Sequence, residues 1–519
     1  MVFRSSYSDI EIPQRALSDL VLGAASSHSG KPALVDAATG RALTYCQLLD
    51  RVRQAAAGLA ALGVRKGDVV ALSAPNSPEF AVAFYAIVRL GAIVTPVNPA
   101  NTSREVAHQL DDAGAKMLLA AAALAAKAQA AIQETGRPLE LVTIDGAAEG
   151  VRSLDSIALD AEPPAVEIDP AVDVVVLPYS SGTTGLPKGV MLTHRNIVAN
   201  LTQLAAIEHR DLSALVAVLP FFHIYGMVVI LSFGLMRGLT VVTMPRFEFE
   251  PFLKVLQDWR IELAHIVPPV AVALAKHPAV GDYDLSHLRW LLCAAAPLGP
   301  EVTHAIETRL NVSMRQGYGM TEASPASHYT GPNERRPGKV GTLVPNTECR
   351  IVDTETGRDL GVNEPGEIWI RGPQVMKGYL NKPAATARTV DEDGWLHTGD
   401  IGVVDDEGYL LVVDRLKELI KVKGFQVAPA ELESLLLKHP GIADAAVIPV
   451  PDDEAGEVPK AIVVAREPLT ADDVIAFVHA EVAHYKRVRH VEFVDAIPKS
   501  ASGKILRRVL VERERARRR

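Results

Sequence analysis

Residues 179–194 read Y-S-S-G-T-T-G-L-P-K-G-V-M-L-T-H, and their side chains are the parts of an anion cradle. Ser180, Ser181, Thr183 and Thr184 offer hydroxyl donors, while Gly182, Gly185 and Gly189 let backbone N–H groups turn toward a charge. Lys188 adds a point cation. The spacing is not G-x-x-x-x-G-K-[ST], and Pro187 directly precedes the lysine, so this is not the Walker loop. Val174-Val175-Val176-Leu177 runs into the segment as a buried strand would, and His194-Arg195-Asn196-Ile197 leaves it as a helix start. So many hydroxyls and glycines at a strand's end read as a loop that holds a nucleotide's phosphates, against the plainer reading of a polar turn.

Four further segments carry chemistry. Pro220-Phe221-Phe222-His223-Ile224-Tyr225 follows the apolar run Val216-Ala217-Val218-Leu219, which places His223 and Tyr225 beyond a strand's carboxyl end, where ligands of α/β sheets bind. Taken alone, the two read better as a satisfied core histidine and a packing tyrosine. Trp290-Leu291-Leu292-Cys293 breaks into Ala294-Ala295-Ala296-Pro297, small residues that let a flat ring approach the backbone. Gln316-Gly317-Tyr318-Gly319-Met320-Thr321-Glu322 presents a ring that can stack on a base, then a hydroxyl for phosphate and a carboxylate for Mg²⁺. Thr398-Gly399-Asp400 sets a carboxylate after a turn, within reach of ribose hydroxyls, although a lone turn aspartate is commonly structural.

The elements that must position these groups alternate. A helix is predicted near residues 46–62, a strand at Val69-Val70-Ala71-Leu72, and a helix capped by Asn76-Ser77 and running to Leu90. Val94-Thr95-Pro96-Val97 is a strand, and the alanine-rich residues 118–132 are expected to be helical. This rhythm predicts parallel sheets covered by helices. Between residues 342 and 413 it changes to short strands and frequent turns, the pattern of a small β-barrel-like unit. Asp414-Arg415-Leu416-Lys417 marks a seam, beyond which about a hundred residues read as a separate α+β domain with a loop carrying Lys504 near its end.

Composition bounds the function. A formal net charge of -9 argues against a general nucleic-acid binder. Three dispersed cysteines, Cys46, Cys293 and Cys349, give neither a disulfide framework nor a zinc pattern and suit a reducing cytosol. The start of the chain lacks the apolar core of a signal peptide, and Arg517-Arg518-Arg519 is not a peroxisomal address, so a cytoplasmic location is expected. Residues 212–236 are apolar enough to span a bilayer, but Pro220, His223 and Gly226 in their middle favour a buried strand, a turn and a buried helix. The basic residues after Lys504 read as a solvated helix end rather than an RNA- or membrane-seeking tail.

Together, the phosphate loop, Tyr318-Gly319-Met320-Thr321-Glu322, Thr398-Gly399-Asp400, the Arg415 seam and the Lys504 loop resemble the adenylate-forming superfamily of acyl-CoA synthetases, luciferase and peptide-synthetase adenylation domains. The resemblance covers essentially the whole chain. It is strongest to 4-coumarate/cinnamate–CoA ligases of bacterial type, on Phe222-His223-Ile224-Tyr225, Gly366-Glu367-Ile368-Trp369-Ile370-Arg371-Gly372 and the stretch K-E-L-I-K-V-K-G-F-Q-V-A-P-A-E-L-E at 417–433. Trp369 stands where the family usually has a smaller residue, and Ala294 where plant ligases have glycine. A methyl there would favour a less substituted ring, by about 1–3 kcal/mol at most.

The resemblance implies a large α/β N-terminal domain over 1–414, with two α/β/α subdomains and a small β-barrel, and a mobile α+β domain over 415–519 hinged near Lys417. It implies two half-reactions: a carboxylate attacks the α-phosphorus of MgATP to give an acyl-adenylate and pyrophosphate, and the CoA thiol then displaces AMP. Lys504 would bridge carboxylate and α-phosphate, His223 would orient the acyl carboxylate, and Lys421 and Gln426 would contact the adenylate. Ser180, Ser181, Gly182, Thr183, Thr184 and Lys188 would hold phosphates. Ala295, Tyr318, Gly319, Thr321, Asp400 and Arg415 would bind the rest of the nucleotide, and Thr184 and Glu322 would associate with Mg²⁺. Tyr225, Ala294, Gly317, Pro325 and Ala326 would line the acyl pocket, and Lys423 and Gly424 the CoA tunnel. The implied partners are small molecules (a carboxylic acid, MgATP and CoA), with no nucleic acid, no integral membrane association, and a monomer or homodimer. A medium-chain fatty acyl-CoA ligase, an acyl-AMP ligase loading a carrier protein, an enzyme that oxidises its adenylate, and a nucleotide-sensing protein that has lost catalysis are the rival readings. Retention of Lys504, Glu322 and the phosphate loop argues against the sensor.

Overall fold

The computed structural model describes residues 1–180, 187–416, 418–422, 425–452, 455–500 and 503–518. The local signals act as expected at the helix starts. Thr44 caps Tyr45–Ala61 in a capping box with Gln47, and the Ser77 hydroxyl accepts from Phe80 N–H at 3.1 Å to open Pro78–Arg89. Residues 78–88 are buried all round, as a helix sandwiched between layers must be.

Val69–Ser73 lies at the centre of the largest sheet, with Ile93–Pro96 and Met117–Ala120 parallel on either side. Val174–Val176 extends it in parallel, and the antiparallel Lys188–Thr193 follows. The alanine-rich stretch 118–132 is not one helix: Met117–Ala120 is a buried strand, and the helix begins only at Ala125. Helix propensities differ by less than about 1 kcal/mol per residue, so enclosing Leu118 and Leu119 among parallel neighbours overrides them.

Two further parallel groups carry the expected strand ends. Ala214–Ala217, Thr240–Thr243 and Pro32–Asp36 form one; Leu263–Ile266, Trp290–Cys293 and Ser313–Gly319 form the other. Ala326–Tyr329 folds back antiparallel on the last of these. The turn-rich region becomes a five-stranded antiparallel sheet of Glu348–Val352, Gly366–Arg371, Leu396–Val404 and Leu410–Arg415, with Phe3–Arg4 added at its edge. Beyond it, Ile442–Asp452 and Gly456–Ala465 form a long hairpin packed by Pro429–Leu436 and Arg507–Arg518, with a hydrophobic core of its own. The basic C-terminal helix docks one side: Leu510 is buried and Glu514 pairs with Lys460 at 2.6 Å.

Among the described residues no helix is long and apolar enough to cross a membrane. Residues 212–236 instead supply Ala214–Ala217, a turn, and a buried π-helical segment Tyr225–Ser232 running into Phe233–Met236. Asn76 holds that turn from outside. Its Nδ2 donates to the carbonyls of Ala217 and Leu219, each at 2.9 Å, and its Oδ1 accepts from Phe221 N–H at 2.7 Å. Gly226 closes it, because a Cβ there would lie 2.2 Å from the Pro220 carbonyl oxygen. Asn76→Ala would strand the buried Leu219 carbonyl and Phe221 N–H, while the Ala217 carbonyl keeps the Met244 N–H at 3.3 Å, and we expect it to lower the unfolding free energy by about 2–4 kcal/mol in denaturant titrations.

Candidate active site

The loops at the carboxyl ends of these strands converge with Lys504. Tyr318 closes Ser313–Gly319, and its hydroxyl donates to Asp400 Oδ2 at 2.6 Å. Asp400 and Arg415 are directly opposite each other across the antiparallel pair, and Arg415 Nε stands 3.2 Å from Asp400 Oδ1. The turn before Asp400 is fixed by Thr398, whose hydroxyl donates to Ile368 O at 2.7 Å and accepts from Asp400 N–H at 3.1 Å. Burial and then the Asp400 charge raise the Tyr318 hydroxyl well above its ordinary pKa, so it remains a neutral donor.

A second node joins the phosphate-loop strands to Glu322. The buried Glu322 accepts on Oε1 from both Ser180 Oγ at 2.9 Å and Tyr379 OH at 2.8 Å. Lys188 Nζ lies 4.4 Å above the Tyr379 ring. Tyr379 was not marked by the sequence reading; the Gly378-Tyr379 dipeptide, whose strand pairs with Lys188–Thr193, is the one local sign of it. Ser181, Gly182, Thr183 and Thr184 lie outside the described residues, as do Lys417, Lys423 and Gly424. Among the described residues no cluster of three His, Cys, Asp or Glu groups could hold a metal. A single carboxylate beside hydroxyls suits a magnesium ion whose other ligands are phosphate oxygens and water.

His223 and Tyr225 sit at the turn held by Asn76. The Tyr225 N–H donates to His223 Nδ1 at 3.3 Å, so the neutral imidazole carries its proton on Nε2. Burial, and then the charge on Lys504, lower His223 to about 4. At neutral pH it is therefore a fixed Nε2–H donor. Tyr225 is buried, with its hydroxyl 3.4 Å from both His265 Nδ1 and the Leu292 carbonyl.

The backbone around the other expected residues is constrained. Ala295 adopts φ 77°, a left-handed conformation that costs a non-glycine residue about 1 kcal/mol and is concentrated at ligand sites. A Cβ at Gly319 would lie 2.0 Å from Pro325 O, and Pro325 O also accepts from Met320 N–H at 2.9 Å. Ala326 exchanges two hydrogen bonds with the buried Asn200, at 3.1 and 2.8 Å. Thr321 is half-buried on the short turn between them, and Gly317 leaves the face of its strand open toward Leu292 and Tyr329.

Lys504 reaches this group from the smaller α+β unit. Its N–H donates to Ser500 Oγ at 3.1 Å, and Gly503, at φ 78°, brings the loop against the large domain: a Cβ there would be 3.1 Å from Val267 Cγ2 and 3.2 Å from Pro269 Cδ. Burial and then the charge on Arg415 bring Lys504 down to about 8, opposed by Glu418 and Asp400. Lys421 is exposed on its strand, with its backbone N–H donating to Glu457 Oε2 at 3.0 Å. Gln426 pairs with it in register, and the Gln426 side chain lies outside the described part.

The arrangement is a converging set of two lysines, one arginine, fixed hydroxyl and imidazole donors, and two carboxylates. It can bind an anion-rich nucleotide next to a second, carboxylate-bearing ligand.

Comparison with known proteins agrees. Residues 23–380 match the model of the AMP-binding enzyme family, and residues 431–504 that of the AMP-binding enzyme C-terminal domain. The chain is 45% identical to 4-coumarate–CoA ligase 5 of Oryza sativa subsp. japonica, over 98% of this chain and 96% of that one. It is likewise 45% identical, over 98% and 96%, to 4-coumarate–CoA ligase 2 of Petroselinum crispum. Among solved structures, the anthranilate CoA ligase AuaEII in complex with anthranoyl-AMP superposes with TM-score 0.89 at 27% identity, covering 97% of this chain and 98% of that one. ATP-bound MatB from Rhodopseudomonas palustris gives 0.87 at 29% identity, covering 96% and 98%. The chain belongs to the AMP-binding, adenylate-forming enzyme family.

Proposed function

We propose that the protein is an ATP-dependent acid–CoA ligase that activates an aryl-propenoic acid of the 4-coumarate/cinnamate type as its acyl-adenylate and transfers it to CoA. The observation that carries the reading is the entry of Lys504, from the smaller unit, into the site formed by Asp400, Arg415 and His223.

Carboxylate and triphosphate repel each other, so their encounter needs positive charge on the line between them. Lys504 supplies it at the α-phosphate, while Lys188 and the phosphate loop hold the β- and γ-phosphates. Asp400 and Arg415 bind the ribose hydroxyls, and Tyr318 and Ala295 flank the base. His223 donates Nε2–H to the acyl carboxylate, orienting the attacking oxygen without supplying a charge that would draw it into an ion pair. Glu322 and Thr184 would hold Mg²⁺, which neutralises phosphate charge when bound.

The acyl group occupies the face bearing Tyr225, Ala294 and Gly317, beside Pro325 and Ala326. For the second half-reaction the unit from residue 415 onward rotates about Lys417, withdrawing Lys504 and presenting Lys423 and Gly424 to the pantetheine arm, with Lys421 and Gln426 contacting the adenylate. Next to that face, Phe425 stacks on Tyr485 at 4.7 Å over a cavity of about 220 Å³ that His484, Arg487 and Arg489 also line, suiting a phosphorylated nucleotide end.

Three outcomes test this reading. Pyrophosphate release across cinnamate, 4-coumarate, caffeate, ferulate, benzoate and octanoate, with and without CoA, should be strongest for the propenoic acids and yield thioester only with CoA. Turnover of octanoate alone would sink the aryl-propenoate assignment. Lys504→Ala should abolish adenylate formation, by about a thousandfold or more, while largely sparing CoA transfer to a supplied adenylate; equal loss in both halves would refute the role. Because Lys504 acts as a cation and titrates near 8 in the free enzyme, kcat/KM for adenylation should fall as pH rises through that value. The transfer half-reaction should not share that limb.

A further inference from the structure

Strand register fixes which side chains share the acyl face. His265, Leu292 and Arg315 lie in one row across three parallel strands. Side chains alternate along a strand, so Ala294 and Gly317, two residues further on, occupy the same face about 7 Å nearer the strands' carboxyl ends. The contacts agree: a Cβ at Gly317 would meet Leu292 and Tyr329, each at 3.8 Å, and the Arg315 guanidinium lies 5.8 Å from the Tyr329 ring centroid. The Tyr225 hydroxyl, 3.4 Å from both His265 and the Leu292 carbonyl, reaches the same row. On the reading proposed above, a group lying over Gly317 would stand above the row that holds Arg315.

Arg315 is fully buried, and its charge is only partly used. Its Nη1 stands 3.0 Å from Glu208 Oε2 and 3.5 Å from Thr330 O, whereas Nε and Nη2 have no hydrogen-bond partner among the described residues. Glu208 does not need it. Arg210 already binds that carboxylate through two nitrogens, Nε and Nη2, each at 2.7 Å, and is itself held 3.5 Å over the Trp290 ring. Two guanidinium groups thus share one carboxylate, leaving a net positive charge below the acyl face. Burial and then Arg315 hold His265 down at about 3, so that ring adds no charge of its own. Open donors on a buried cation are costly unless something occupies them.

We propose that Arg315 reads the far end of the acyl group, its Nε–H and Nη2–H receiving an oxygen acceptor there with the Tyr225 hydroxyl as second partner, so that the site selects acids with a distal oxygen over hydrocarbon-ended acids of the same size. The inference rests on the reading above that Tyr225, Ala294 and Gly317 line the acyl pocket. Arg315 is a specificity-determining residue, placed by Glu208.

The test is kcat/KM for adenylation of 4-coumarate against 4-methylcinnamate, which matches it in size but has no acceptor, in wild type and in Arg315→Met. Wild type should prefer 4-coumarate by about tenfold or more, and the variant should bring the ratio to within about twofold of unity. A purely structural arginine would lower both rates and leave the ratio alone. If Arg315→Met does not fold, Arg315→Leu, which likewise leaves the Arg210–Glu208 pair in place, is read the same way. An even wild-type ratio, or a ratio preserved in a folded variant, overturns the proposal. Should no propenoic acid be activated, the ligase assignment to aryl-propenoates fails, and the role of Arg315 is decided by the same ratio measured with 8-hydroxyoctanoate against octanoate.

Discussion

Lys504 is buried within electrostatic reach of Arg415 and Arg507, with Glu418 and Asp400 as the opposing charges, and the site depends on how that lysine is held. The proximity of Arg415 is one reason Lys504 falls to about 8. On the function proposed above, an anion entering beside Lys504 would offset both its burial and the repulsion from Arg415. A triphosphate would do so, and each phosphate charge would then favour the docked arrangement. Ligand binding and closure of the smaller unit over the nucleotide would in this way be one electrostatic event.

The sheet divides recognition by face. Tyr318 and Gly317 are consecutive in Ser313–Gly319 and so point to opposite sides, the first toward Asp400 and His328, the second toward Leu292 and Tyr329. On the proposed reading, a nucleotide on one face and an acyl group on the other would meet at the strand's end, beside His223 and Lys504. The neutral Nε2–H tautomer of His223 follows from the same local geometry, since the turn that Asn76 holds also aims the Tyr225 N–H at Nδ1.

The chemistry-bearing motifs were legible because each is a contiguous run at a strand's end: the loop after Val174–Val176, the turn before Tyr225, and the segment from Gln316 to Glu322. Their partners were not. Asn76 lies 145 residues from Phe221 and Tyr379 57 residues from Glu322, and the local signs they carry, a helix-cap dipeptide and a Gly-Tyr dipeptide, point to neither contact. Arg315 reads locally as one more residue of a strand; only the register with Leu292 and His265, together with Glu208 107 residues away, shows that a charge is buried under the face proposed for the acyl group. Leu118 and Leu119 were misread for a related reason, because leucine and alanine suit a helix until neighbouring strands enclose them.

A withdrawable lysine also requires that the smaller unit be held weakly. Away from the seam, where Ile401, Leu419 and Ala428 pack together, its contacts with the large domain among the described residues include Lys276 Nζ to Leu437 O at 3.2 Å, Lys438 to Glu301 at 2.6 Å, and the Gly503 loop against Val267 and Pro269. Lys438 and Glu301 are 40% and 43% exposed, and such a surface pair contributes at most about 1 kcal/mol. The buried tie lies at the seam itself, where Asp414 accepts from Ala430 N–H at 3.0 Å. That bond is next to the proposed axis at Lys417, where a rotation displaces atoms least. On that proposal the strong contact would sit where movement is small and the weak contacts where it is large, so that Lys504 would swing without the two cores being disturbed.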